Sequence, residues 1–282
     1  MRAYSLNDVH ATRKRKDSWW TVYMVDPVAC RLTLLVANHT AITPNGLTRL
    51  SLVLGMGSAV CFAFGQLVAG AALFYVSFMV DCMDGKIARL KETGTAFGLW
   101  LDYVGDRIRV VCCAAGLAFG QYAATGDDAY IMLGAGIAVL DLFRYVNAPQ
   151  MKRVREVVKE NRLESQANAG LVVPRQPRPP GMSGTPRVPR APRAPRALTV
   201  RRRISRFLVR HRVRTHLISG IEFHAAVFVI APLVGVAALL PVSIVAGTLL
   251  LLNEVFLIYR MWLFTRVAPP VPRPENAQRV PV

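Results

Sequence analysis

Apolar stretches close to the length of about 20 residues that a helix needs to cross a bilayer recur at roughly 46–66, 68–88, 98–120, 128–147, 217–238 and 241–264. Two of the six are interrupted: Asp102, Asp106, Arg107 and Arg109 fall in the third, and Asp141 and Arg144 in the fourth. A helix buried in a bundle tolerates such charges, whereas one facing lipid does not. Upstream, Ser18 to Ala37 opens with Trp19-Trp20 and continues through Tyr23, Met24, Leu32 and Leu35 with scattered charges, the pattern of an interfacial helical segment. Asp26-Pro27 and Thr43-Pro44 each set a capping residue before a proline, which predicts two helix starts, the second opening the first span. The predicted fold is an all-α integral membrane bundle of six transmembrane helices with an N-terminal interfacial segment.

Composition agrees with that class. The 282 residues are 53% hydrophobic yet carry a formal net charge of +18, which suits a multi-span protein with basic cytoplasmic segments better than a soluble domain. Lys and Arg concentrate at Arg13 to Lys16, at Lys86, Arg89 and Lys91, after the fourth span and in the C-terminal tail, while Gln66, Gly126 to Asp128 and Leu240-Pro241 mark connections without them. Six spans with both termini cytoplasmic satisfy the positive-inside rule at every loop. Met1 to Asp17 lacks the apolar core of a secretory signal, so the first span is expected to do the targeting to the cell membrane. The segments are then 1–45 (N-terminal and interfacial), 46–147 (spans one to four), 148–212 (basic and cytoplasmic), 213–266 (spans five and six) and 267–282 (tail).

Within 148–212, a charged stretch around Arg153 to Arg162 reads as helix, and a Pro/Arg-rich linker at 172–198 follows, with Pro189 to Arg196 repeating every three residues. Proline removes backbone donors and like charges repel, so disorder with polyproline character is expected. Two readings of this linker stand: binding of anionic lipid or nucleic acid, or a plain connection whose charge reinforces topology, with nucleic acid the less favoured partner. Arg201, Arg202, Arg203 and Arg206 with Ile204, Phe207 and Leu208 suggest a membrane-surface helix. Cys30, Cys61, Cys82, Cys112 and Cys113 lie in apolar or cytoplasm-facing segments, where structural disulfides are not expected. The histidines, His10, His39, His211, His216 and His224, show no metal-ligand spacing and read as structural.

The candidate chemistry lies in four aspartates: Asp81, Asp84, Asp102 and Asp106. Carboxylates are expensive near a bilayer core, and four of them repel one another unless cations bind between them. In helices, Asp81, Asp84 and Ala88 share one face and Gly98, Asp102 and Asp106 share another, so two acidic faces can meet. Gly85, Ala88 and Gly98 keep those stripes free of bulk, for close helix approach or a flat ligand. Oxygen-only ligands suit Mg²⁺ or Mn²⁺, and the expected chemistry is phosphoryl transfer on a metal-bound phosphate.

The pattern Asp81-x-x-Asp84-Gly85-x-x-Ala88-Arg89, eight residues, Gly98, three residues, Asp102, three residues, Asp106 resembles the full signature of the CDP-alcohol phosphotransferase (phosphatidyltransferase) family. Thr43-Pro44-Asn45 is also similar to the family's usual sequence ahead of the first span. The resemblance implies transfer of a phosphoryl-alcohol group from a CDP-linked donor to an acceptor hydroxyl, with release of CMP. It implies that Asp81, Asp84, Asp102 and Asp106 hold two Mg²⁺ or Mn²⁺ ions on the donor diphosphate and that Asp106 takes the acceptor's proton. Gly85, Ala88 and Gly98 would leave space for cytidine and ribose, Arg89 would neutralise diphosphate charge or anchor a helix end, and Thr95 is a further candidate for nucleotide contact. Cys82 is a variable position of the pattern and reads as a packing residue. A homodimer is plausible by the resemblance alone.

The acceptor is less legible. Arg107, Arg109 and Arg144 would bind an acceptor phosphate, or else pair with Asp141, Glu222 or each other, since buried arginines need a partner in either case. The expected partners are CDP-diacylglycerol, whose tails stay among the membrane lipids, and a small polar alcohol from the cytoplasm. The reverse arrangement, a CDP-linked head group passed to diacylglycerol, uses the same acids. An inactive scaffold that works through the Pro/Arg linker would need none of them intact.

Overall fold

The computed structural model describes residues 3–172, 212–214 and 219–266. Among these residues the structure is helical, apart from an isolated parallel bridge between Asp17 and Val213. In chain order, α1 is Leu6–Ala11, a π-helical turn at Thr21–Val25 runs into α2 (Asp26–His39), and α3 (Pro44–Ala63), α4 (Leu67–Lys91), α5 (Ala96–Thr125) and α6 (Ala129–Val172) follow. After the Pro/Arg-rich linker and the basic stretch up to Leu208, which beyond Val172 lie outside the described residues, come α7 (Gly220–Val234, with a π-helical turn at Ala226–Ile230) and α8 (Val236–Arg266). The tail at 267–282 is likewise outside the described residues.

Five described helices, α3 to α6 and α8, are long and apolar enough to cross a membrane. The all-α membrane class expected from the sequence therefore stands, but the count of six spans is not reproduced. The stretch expected at 217–238 appears as the shorter apolar α7, which at about 1.5 Å per residue falls short of a hydrocarbon core of about 30 Å. Gly235, at φ +122°, ends it. That backbone conformation is open to glycine and closed to other residues. A second correction concerns Asp26, whose side chain makes no cap hydrogen bond: the π-helical turn feeds directly into α2, and the carboxylate is used elsewhere. The Thr43-Pro44 start holds, with the Thr43 hydroxyl accepting from Gly46 N–H at 3.2 Å and Pro44 leading the helix.

Packing divides the chain into two units, Met1–Tyr145 with Ile204–Glu254, and Val146–Arg203 with Val255–Val282. In the second, cations lie over aromatic rings: Arg162 is 4.6 Å from the Phe264 centroid and Arg266 3.9 Å from that of Trp262. The functional cavity belongs wholly to the first. Its centre is the α3, α4, α5 bundle, capped by Phe228 of α7, whose ring stands 4.7 Å from that of Phe74. Large apolar side chains such as Val53, Phe119, Met132 and Val139 remain exposed. In lipid they need no burial, so close packing and internal polar pairs must hold the helices together. The α3 to α5 contact is tight: a Cβ on Gly116 would come within 2.2 Å of the Ala59 carbonyl oxygen, so only glycine allows the approach.

Candidate metal and substrate site

Helix α4 turns into α5 through Glu92 to Thr95, with Glu92 in the left-handed conformation at φ 54° and Thr95 capping α5 by accepting from Gly98 N–H at 2.9 Å. Asp81 and Asp106 lie equally far from this turn along their helices, and both line the same cavity. Carboxylate oxygens of Asp81, Asp102 and Asp106 all fall within 4.8 Å of one another. Asp84 is outside that group; its carboxylate accepts a short hydrogen bond from the Thr48 hydroxyl on α3. Three converging carboxylates with only oxygen to offer fit a hard divalent cation.

Arg109 braces the cluster from behind. It is buried, it pairs closely with Asp106 and lies 3.6 Å from Asp81, and its other donors reach the Ser51 and Ser77 hydroxyls at 2.8 and 3.2 Å. Gly55 makes room for it, since a Cβ there would stand 2.6 Å from Arg109 Cγ. One arginine against three acids leaves the cluster negative.

The acids form part of the wall of a cavity of about 370 Å³, which also receives Arg13 and Lys14 from the N-terminal segment, Lys86 and Arg89 from α4, and Arg107 and Arg144 from α5 and α6. A side pocket of about 70 Å³ is lined by Asn45, Thr48, Asp84, Gly85, Ala88, Gly94, Thr95, Gly98 and Asp102. It gathers Gly85, Ala88, Thr95 and Gly98, four of the five residues expected at the nucleotide. The fifth, Arg89, lies on the larger cavity, where its Nε donates to the Thr12 carbonyl at 2.7 Å. Asn45 closes the far wall, donating to Thr95 Oγ1 at 3.3 Å, and a Cβ on Gly98 would come 2.3 Å from its Oδ1.

The three arginines expected at the acceptor are already engaged. Arg107 and Arg144 both pair with Asp141, the latter at 3.3 Å, and His224 Nε2 sits 2.8 Å from the same fully buried carboxylate. Glu222 does not join them; it caps α7 through Ser219 and accepts from Trp19 N–H at 3.1 Å. Asp26 pairs with Lys86 at 2.9 Å and with Arg212 at 3.3 Å. Cys30, on α2 near this pair, has its thiol pushed up by burial, with the Lys86 charge acting the other way, which suits a packing residue.

Sequence reasoning missed the α3 wall. Asn45, Thr48, Ser51, Gly55 and Ser58 recur at steps of three and four, a polar and small stripe on one face of an otherwise apolar helix, and that period was the available signal. It also missed the part of Arg13 and Lys14, because contacts such as that of Arg212 with the Lys14 carbonyl, 198 positions apart, leave no local trace.

Residues 41–169 match the CDP-alcohol phosphatidyltransferase family model. Among curated relatives, the archaetidylinositol phosphate synthase of Methanothermobacter thermautotrophicus is 30% identical over 96 residues, covering 34% of this chain and 49% of that protein. The CDP-diacylglycerol–serine O-phosphatidyltransferase of Helicobacter pylori is 30% identical over 142 residues, covering 49% and 54%. The chain thus spans about half the length of these two relatives. The crystal structure of a Mycobacterium tuberculosis phosphatidylinositol phosphate synthase with CDP-DAG bound is 20% identical, covers 90% of this chain and 98% of that one, and superposes with a TM-score of 0.43, too loosely to carry an argument. The segment that matches the CDP-alcohol phosphatidyltransferase family model, residues 41–169, contains the whole aspartate signature.

Proposed function

We propose that the protein is a phospholipid-biosynthetic transferase of the cell membrane, which moves the phosphatidyl group of CDP-diacylglycerol to the hydroxyl of a small polar alcohol and releases CMP. The observation that carries this reading is the convergence of Asp81, Asp102 and Asp106 beside a pocket lined by Gly85, Ala88, Thr95 and Gly98. Asp81, Asp84, Asp102 and Asp106 would hold two Mg²⁺ or Mn²⁺ ions, which when bound supply charge neutralisation for the donor diphosphate and its leaving phosphate. Asn45, Thr95 and the bare faces of Gly85, Ala88 and Gly98 receive the cytidine and ribose, while Arg89 meets diphosphate charge from the cavity side.

Asp106 is the proton acceptor. Its side chain is 30% exposed, the most open of the pairs that Arg109 makes, and faces the larger cavity. The acceptor oxygen bonds to the phosphorus that carries diacylglycerol, its proton passes to Asp106, and the bond to the CMP oxygen breaks with the electron pair leaving on CMP. Arg109 fixes the orientation of the Asp106 carboxylate through its close ion pair. The site lies at the cytoplasmic end of α4 and α5, with both termini cytoplasmic, so that CMP leaves into the cytosol.

The test is CMP release by the purified full-length protein from CDP-diacylglycerol with Mg²⁺ or Mn²⁺, offered glycerol 3-phosphate, inositol, inositol 1-phosphate and serine. At least one acceptor is expected to give turnover that stops when the metal is chelated. CMP release that persists in excess chelator, or none with any acceptor, overturns the reading.

A further inference from the structure

Seven basic side chains line the cavity that holds the acids, and they fall into two groups. Lys86, Arg107, Arg109 and Arg144 each have a carboxylate partner: Asp26, Asp141, Asp106 and Asp141 again. Arg13, Lys14 and Arg89 have none among the described residues. Among the described residues, Arg13 donates to the His10 carbonyl and Arg89 to that of Thr12, and the Lys14 ammonium has no hydrogen-bond or ion-pair partner. A basic side chain already saturated by a buried carboxylate must break that pair to take a new anion, whereas an unpaired one at a cavity wall pays only its hydration.

The unpaired group is also held in place. Arg89 fixes the Thr12 carbonyl at 2.7 Å, and Arg212 fixes that of Lys14 at 2.7 and 3.2 Å. Asp17 N–H donates to the Arg212 carbonyl at 2.8 Å and Arg214 N–H returns to Asp17 at 2.9 Å, so the backbone on either side of Arg13 and Lys14 is pinned while their side chains stay open. Fixed backbone and free cations are what a preformed anion site requires. The side pocket adjoins the cavity through Asp84, Gly85, Leu99 and Asp102, but Arg13 and Lys14 line the cavity alone while Asn45, Thr95 and Gly98 line the side pocket alone, which separates these cations from the residues that receive the nucleoside.

We infer that Arg13 and Lys14 form the subsite for a phosphate monoester on the acceptor alcohol, and that the protein therefore acts on a phosphorylated alcohol; this rests on the transferase reading above. Arg107 and Arg144 are then wall residues locked by Asp141, and Arg89 and Arg212 are positioning residues for the N-terminal strap.

The experiment has two arms, both on the full-length protein in detergent or nanodiscs. In the first, inorganic phosphate is titrated calorimetrically in excess chelator, so that no cation at the aspartates can bind it. Arg13→Ala/Lys14→Ala is expected to weaken phosphate affinity about tenfold or more, the loss of at least one hydrogen bond to a charged group. The charge-preserving Arg13→Lys/Lys14→Arg should retain most of it, and Arg144→Ala should weaken it less than the double alanine variant. Unchanged affinity in the double alanine variant, or a larger loss in Arg144→Ala, overturns the assignment. In the second arm, with Mg²⁺, the same variant should raise KM for glycerol 3-phosphate or inositol 1-phosphate about tenfold with KM for CDP-diacylglycerol changed less than twofold. A rise confined to the CDP-diacylglycerol KM would place the cations on the donor and overturn the proposal, as would wild-type preference for serine or unphosphorylated inositol. If the wild type releases no CMP at all, the transferase reading falls while the phosphate titration still decides the subsite. A melting curve matching wild type confirms that the exposed Lys14 and half-buried Arg13 were changed without loss of fold.

Discussion

The cluster around Asp106 and the cluster around Asp141 are built from the same side chains in opposite proportion. Asp81, Asp102 and Asp106 share one close arginine, Arg109, with Arg107 more distant at 3.8 Å. Asp141 alone serves Arg107, Arg144 and His224, and is fully buried. The first is left negative, partly exposed and open to a cavity; the second is closed and over-supplied with cations. A buried charge cluster that balances itself is a structural joint, and one that does not is waiting for a counter-ion. Arginines around the acidic cavity are therefore not interchangeable: which acids they already hold decides which of them are free to meet a new anion.

The contrast can be broken from either side. The largest effect is expected for Asp106→Asn, which keeps the shape but cannot accept the proton: turnover should fall by three to four orders of magnitude, on the scale of general-base loss, with the melting temperature close to wild type. Retention of more than a tenth of the CMP release rate would remove Asp106 from the base role. Next, Asp141→Asn strands two arginines in a buried joint and should destabilise the protein by about 3–5 kcal/mol, read as a lowered unfolding midpoint in detergent. A midpoint unmoved by this change would show that the joint contributes little. Smallest, Gly98→Ala puts a methyl 2.3 Å from Asn45 Oδ1. Asn45 must shift, at about 1–3 kcal/mol for overpacking, and KM for CDP-diacylglycerol should rise while KM for the acceptor stays. A rise in the acceptor KM alone would put the nucleotide elsewhere.

The acidic faces were legible because helical period and motif spacing are the same information: residues three and four apart stack, and the short turn through Glu92 to Thr95 folds one stack onto the other. The Thr43-Pro44 helix start was legible for a local reason too, since the cap and the proline lie within one turn. The Asp26-Pro27 start misled. Proline at the second position of α2 is compatible with a helix that begins earlier, and the acid found Lys86 and Arg212 instead of a backbone amide. The length of α7 was overread, because hydropathy alone passes over Gly235, where the chain turns to φ +122°. The α3 stripe was hidden by its surroundings, since Asn45, Thr48 and Ser51 are few among many apolar residues and matter only once α4 and α5 lie against them.

Cation binding at the three converging carboxylates is measured most directly by the Mg²⁺ or Mn²⁺ dependence of the unfolding midpoint in the absence of substrate. At a hundred times the dissociation constant a ligand of the folded state adds about 2.7 kcal/mol, so the wild type should gain several degrees, and Asp81→Asn and Asp102→Asn should each lose most of that gain. An upward shift of the same size in both variants, or no shift in the wild type at any concentration, would contradict a cation site made by Asp81, Asp102 and Asp106.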